Sequence, residues 1–116
     1  MGSAAPTALA LMRSRYSAYA LGLAEYIIQT THPQNPLYEK NLKKWAEEIR
    51  SFSRETQFVQ LVIEGFGEDW VAFIAHLVQN DRPVLLKEKS QFAKLKGKWL
   101  YLIGALTETK PSDSNS

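Results

Sequence analysis

Val84-Leu85-Leu86-Lys87-Glu88-Lys89-Ser90-Gln91-Phe92-Ala93-Lys94-Leu95 alternates with a period of two. Successive side chains of a strand point to opposite faces, so the stretch sorts itself into two sets. Leu85, Lys87, Lys89 and Gln91 form one; Leu86, Glu88, Ser90 and Phe92 form the other. The lysines want water, so the second set must face the interior. Glu88 and Ser90 are thereby carried inward beside Phe92. A buried carboxylate is costly unless it is paired, so a partner is expected, and the first helical segment offers Arg13 and Arg15.

Outward from this strand the same period holds. It begins near Glu55, with strands over Phe58–Glu64 (Val59, Leu61 and Ile63 on one face), Trp70–Val78 (Val71, Phe73, Ala75 and Leu77 inward) and Trp99–Leu106. Gly65–Asp69, Asn80–Pro83 and Lys96–Lys98 are the turns between them. Strands joined by short turns run antiparallel. Upstream the period is helical. Leu9, Met12, Tyr16, Tyr19 and Leu23 recur at helical spacing after Pro6, which suits a first turn. A short helix over Leu23–Thr31 is ended by His32-Pro33. A third, Leu37–Phe52, carries Leu42, Trp45, Ile49 and Phe52 on one side. The fold class predicted is α+β, with three helices packed on one face of a curved four-stranded antiparallel sheet.

The chain has 116 residues, 45% hydrophobic and 11% aromatic, enough for one domain with a core. Residues 5–106 are read as that domain, 1–4 as an added or flexible start, and 107–116 (Thr-Glu-Thr-Lys-Pro-Ser-Asp-Ser-Asn-Ser) as a disordered tail. There is no cysteine, which excludes a disulfide scaffold, a thiol nucleophile and a cysteine-based zinc site. No cofactor or metal is expected. No apolar run is long enough for a membrane span, and no signal peptide is legible, so the cytosol is the expected location. The net charge of +2 is too small to imply nucleic acid. Lys87, Lys89, Lys94, Lys96 and Lys98 lie along one hairpin and read better as a solvated face. His32 and His76 are read as structural, and the three tryptophans as core or core rim.

Particular segments resemble the YchJ-type bacterial proteins. They are Ala5-Pro6-Thr7-Ala8-Leu9-Ala10-Leu11-Met12-Arg13-Ser14-Arg15-Tyr16-Ser17-Ala18-Tyr19, the Thr31-His32-Pro33 turn, Glu88-x-Ser90-x-Phe92 and Trp99-x-Tyr101-x-x-Gly104. The resemblance implies a fold similar to nuclear transport factor 2, a cone of helices over a curved sheet enclosing a cavity. Members commonly carry a cysteine-rich SEC-C zinc segment beside this domain, and often a Glu where this chain has Ala72. From both arguments the candidate pocket is Arg13, Arg15, Tyr16, Tyr19, Glu88, Ser90 and Tyr101. An arginine would grip Glu88 or an anionic or carbonyl group, the tyrosines would stack or donate, and Ser90 would orient. The functional expectation is a non-catalytic binding or protein-interaction domain for a small ligand or a peptide. The alternative is an isomerase- or dehydratase-type enzyme with Glu88 as base and Tyr16 or Tyr101 as donor. A homodimer through the exposed sheet face, using Trp70 and Ile74, is also compatible with the pattern.

Overall fold

The computed structural model describes residues 4–111. Three helices, α1 (Ala8–Leu21), α2 (Ala24–Gln29) and α3 (Leu42–Glu55), precede four strands, β1 (Thr56–Phe66), β2 (Trp70–Gln79), β3 (Arg82–Leu95) and β4 (Lys98–Pro111). The strands form one antiparallel sheet in the order β1-β2-β3-β4. The α+β class and the helix-then-meander order are as the sequence predicts.

Local chemistry sets the boundaries. Thr7 Oγ1 accepts from the Ala10 amide and caps α1, while Gly22, at φ 71°, closes it in the left-handed region where a β-carbon would be strained. The third helix starts at Leu42, not Leu37, because Asn41 Oδ1 caps the Lys44 amide. Leu37 is left 83% exposed in a loop pinned by Asn35, which donates to the Leu102 carbonyl. Asn80-Asp81 and Lys96-Gly97 each supply two positive φ angles, as two-residue hairpins require. Residues 107–111, expected as tail, instead continue β4 and pair with Val84–Lys87. Residues 1–3 and 112–116, the rest of the expected start and tail, lie outside the described residues.

Register irregularities bend the sheet. One lies in β1 between Phe58 and Gln60, another between Ile63 and Gly65. The first makes Val59 the extra residue and reverses the face of what precedes it. Phe58, Leu61 and Ile63 therefore oppose Leu77, Ala75 and Phe73 on the core side, and Val59, expected to share a face with Leu61 and Ile63, is 63% exposed. Two further irregularities fall between β3 and β4.

Two apolar clusters hold the layers together. Leu11 and Met12 of α1 meet Val71, Phe73, Ala75, Leu77 and Phe92 of the sheet. Ala18, Ala24, Ile27, Ala46 and Ile49 pack the three helices on one another. The buried stripe of α1 is Ala8, Leu11, Met12, Arg15 and Ala18. An arginine thus sits in the middle of a core-facing row. Leu23, expected on one face with Leu9, Met12, Tyr16 and Tyr19, is 37% exposed.

Candidate functional site

Between the helical layer and the sheet lies a cavity of about 400 Å³. Most of its wall is apolar: Met12 of α1, Trp45, Ile49 and Phe52 of α3, and Phe58, Phe73, Ala75, Leu77 and Leu86 of the sheet. Exposed Glu48 and Phe52 also line it, so it reaches solvent along α3. Besides Glu48 at that opening, its polar lining comprises Arg15, Tyr16, Tyr19, Glu88, Ser90 and Tyr101, six of the seven residues expected there. Arg13 is the exception. It is exposed and absent from the lining, because two residues along a helix is more than half a turn away from Arg15.

Glu88 does point inward, but its partners are not arginines. Its Oε2 accepts from Ser90 Oγ at 2.6 Å and from Tyr101 Oη at 3.2 Å. Ser90 is fully buried and lies directly across from Gly104 on β4. A β-carbon at Gly104 would fall inside the van der Waals envelope of the Glu88 carboxylate and the Tyr101 hydroxyl. The carboxylate folds into the space that this missing side chain leaves. Oε1 has no partner among the described residues.

Arg15 is 6% exposed and makes no ion pair among the described residues, so the expected grip on Glu88 is not formed. Its Nη1 instead donates to the Ile27 carbonyl at 3.0 Å, Thr30 Oγ1 at 2.8 Å and Thr31 Oγ1 at 3.2 Å. The carbonyl lies at the C-terminal end of α2, where the helix dipole favours a cation. The guanidinium also lies over the Tyr101 ring, 4.6 Å from its centroid. Burial pulls its pKa down, while Tyr19, Tyr101, Tyr26 and Glu88 act in the other direction. Nε and Nη2 make no hydrogen bond with the described residues.

Tyr101 joins everything at this end. Its amide donates to the Thr30 carbonyl and its carbonyl accepts from the His32 amide. Its ring sits edge-on to Phe92 and beneath Arg15, and its hydroxyl holds Glu88. Burial first, then the Glu88 charge and hydrogen bond, push its pKa well above the ordinary phenol value. Tyr19 is also raised, by burial and then by Glu88, with Arg15 opposing. Its hydroxyl donates to none of the described residues. Tyr16 packs edge-on to Phe58, its hydroxyl buried beside the Gln60 backbone.

These tyrosines make a pH prediction. In the unfolded chain a tyrosine ionises near pH 10, whereas Tyr19 and Tyr101 keep their protons to higher pH. Above that point the unfolded state binds fewer protons, so stability is complete below pH 10 and falls as pH rises toward the folded values. Urea unfolding midpoints should drop above about pH 10, by up to about 1.4 kcal/mol per pH unit for each retained proton. Tyr101→Phe should make the decline shallower.

Thr30, Thr31, Gly104 and the α3 wall of Trp45 and Phe52 belong to the site but were not among the candidate residues. Ala72 alternates with buried Val71 and Phe73 and pairs with Lys89, so a Glu there would face away from the cavity. His76 shares that outer face with Trp70 and Ile74, and His32 Nδ1 accepts from the Gln34 amide. The hairpin lysines do not form one stripe: Lys89 lies over Trp70 and Lys94 over Trp99, on opposite faces. Among the described residues no cluster of three or more His, Asp or Glu could hold a metal ion. None of the described helices is long and apolar enough to cross a membrane.

Comparison with known proteins places this architecture. Residues 7–104 match the family model described as YchJ, middle NTF2-like domain. A UPF0225 protein of Chromobacterium violaceum is 37% identical over 102 residues, covering 88% of this chain and 76% of its own length. A Vibrio vulnificus UPF0225 protein is 33% identical over 102 residues, and there the match takes in 87% of this chain but 60% of the relative. A SEC-C motif containing protein from Rhodopseudomonas palustris, solved in solution, superposes with a TM-score of 0.74 at 30% identity, over 91% of this chain and 83% of its own. A putative scytalone dehydratase from Novosphingobium aromaticivorans, at 10% identity and a TM-score of 0.52 over 91% of this chain and 85% of its own, shares the fold alone. The helical cone over a curved sheet, the match across nearly all of it and the identity to UPF0225 proteins together establish that the chain belongs to the YchJ (UPF0225) family and corresponds to its middle, nuclear transport factor 2-like domain.

Proposed function

We propose that this domain is a cytosolic binding module whose cavity takes a small, mostly apolar ligand carrying one polar head. The observation that supports this is the concentration of unused hydrogen-bonding groups at one end of an otherwise aromatic and aliphatic cavity. Small-molecule sites have this composition: an apolar wall with a few placed polar groups. Glu88 Oε1, the Tyr19 hydroxyl and the Arg15 Nε and Nη2 groups are available there, and each is held by packing or by its other bonds. A head group that satisfied them would meet a preorganised site and forfeit little ordering entropy.

One observation favours catalysis instead, with Glu88 as base: it lines the cavity and its Oε1 accepts no hydrogen bond from the described residues. General-base chemistry next to a carbonyl also needs a donor to polarise it. The Tyr101 proton is already committed to Glu88 itself, so that role would fall to Arg15 and Tyr19. The binding reading needs no such reassignment and is preferred.

The test is uptake of a neutral apolar fluorophore, N-phenylnaphthylamine, by the folded chain and by Ala75→Phe, which places a ring in the cavity. Ala75 is 3% exposed on the cavity wall. The expected result is saturable uptake at one site per chain, weakened at least about tenfold by the substitution. No uptake, or uptake indifferent to Ala75→Phe, would overturn the reading.

A further inference from the structure

The polar end of the cavity carries one negative and one positive side chain that do not pair with each other. Glu88 presents an acceptor, Oε1, and is fixed by the two hydroxyls on its other oxygen. Arg15 presents donors, Nε and Nη2, and is fixed by three bonds through Nη1. The Tyr19 hydroxyl lines the same end and interacts electrostatically with both. A head group here must therefore accept on one side and donate on the other.

Net charge decides the class. A carboxylate that reached Arg15 would stand near the Glu88 carboxylate with little water to screen the repulsion. An ammonium that reached Glu88 would meet the guanidinium in the same way. A zwitterion would match both charges but would surrender two hydration shells on entering a mostly apolar space. A neutral amide has the donor and the acceptor side by side and the smallest desolvation cost. We propose that the cavity selects a neutral carboxamide or lactam on an apolar, preferably aromatic, body. The carbonyl accepts from Tyr19 and Arg15, and the N–H donates to Glu88 Oε1. This inference rests on the cavity being a ligand site, and it adds what kind of ligand.

The experiment is an NMR titration of the full chain with phenylacetamide, phenylacetate, phenethylamine and phenylalanine, compounds with one aromatic body and different heads. The amide is expected to bind about tenfold or more tightly than any of the other three, with shifts centred on Tyr19, Glu88 and Tyr101. Glu88→Gln should remove the repulsion and bring phenylacetate to within about threefold of the amide, and Tyr19→Phe should weaken the amide about fivefold. Phenylacetate, phenethylamine or phenylalanine binding the unsubstituted chain as tightly as the amide would overturn the proposal. So would failure of all four compounds while N-phenylnaphthylamine still enters, and that outcome would leave the cavity reading intact. Failure of the fluorophore as well would remove both.

Discussion

Gly104→Ala is expected to destabilise the fold by about 2–4 kcal/mol, although the ordinary effect of glycine to alanine in a strand has the opposite sign. Elsewhere an added methyl would restrict the unfolded chain and contribute about 0.5–1 kcal/mol of stability. At Gly104 it would occupy the volume of the Glu88 carboxylate and the Tyr101 hydroxyl. The carboxylate would have to leave, breaking its bonds from Ser90 and Tyr101, and the fully buried Ser90 hydroxyl would lose its acceptor. Leaving one such group unsatisfied costs about 1–3 kcal/mol, which together with overpacking outweighs the chain-entropy gain. The diagnostic is suppression. Glu88→Ala in the Gly104→Ala background should recover part of the loss, because it removes one of the two groups being struck and opens space into which the Tyr101 hydroxyl can shift. If Gly104→Ala is neutral or stabilising in urea unfolding, or if Glu88→Ala makes it worse, the proposed close approach is wrong.

Arg15→Met should cost about 3 kcal/mol. Two terms oppose each other. Burial works against the guanidinium charge, so removing it relieves a desolvation penalty. Against this stand three hydrogen bonds to the end of α2, the stacking on Tyr101 and the loss of the only cation that the described residues place in the cavity lining. The second group of effects should win, since methionine fills the volume but satisfies none of the oxygens. Arg15→Lys should recover less than half of the loss, because an ammonium has no planar face to stack on the Tyr101 ring and is more strongly hydrated than a guanidinium. Hydrogen exchange supplies a local readout. The amides of His32 and Tyr101, which tie the α2–α3 loop to β4, should lose protection well before those of β2 and β3. Uniform loss across the sheet would show that Arg15 merely packs.

Glu88 was legible because strand alternation is strict over β3, and the lysines on either side leave it no other face. Arg15 was legible only as one of a pair. The inward row of α1 runs through Ala8, Leu11 and Ala18, and a reading that follows only large apolar residues passes it by. Counting alanine as a core residue would have separated Arg15 from Arg13. The irregularity at Val59 leaves no mark on the local pattern: Val59, Leu61 and Ile63 alternate as well as any strand, and only pairing with β2 reveals the extra residue. Gly104 was quoted as part of a motif, but its purpose was invisible, since what matters there is the volume taken by side chains of other residues. Thr30 and Thr31 look like any polar helix end until the arginine above them is placed.

The seam between Thr31 and Tyr101 is a single parallel bridge that joins segments about seventy positions apart in the chain. Closing a loop of that length is entropically slow, whereas the hairpins of β2, β3 and β4 form from neighbours. The meander can therefore assemble before the helical lid is fastened to it. Because the same tyrosine that fastens the lid also holds the cavity's carboxylate, the pocket comes into being only with the final closure. Any occupant that grips that end would act as a latch, slowing the reopening of the lid more than the unravelling of the sheet.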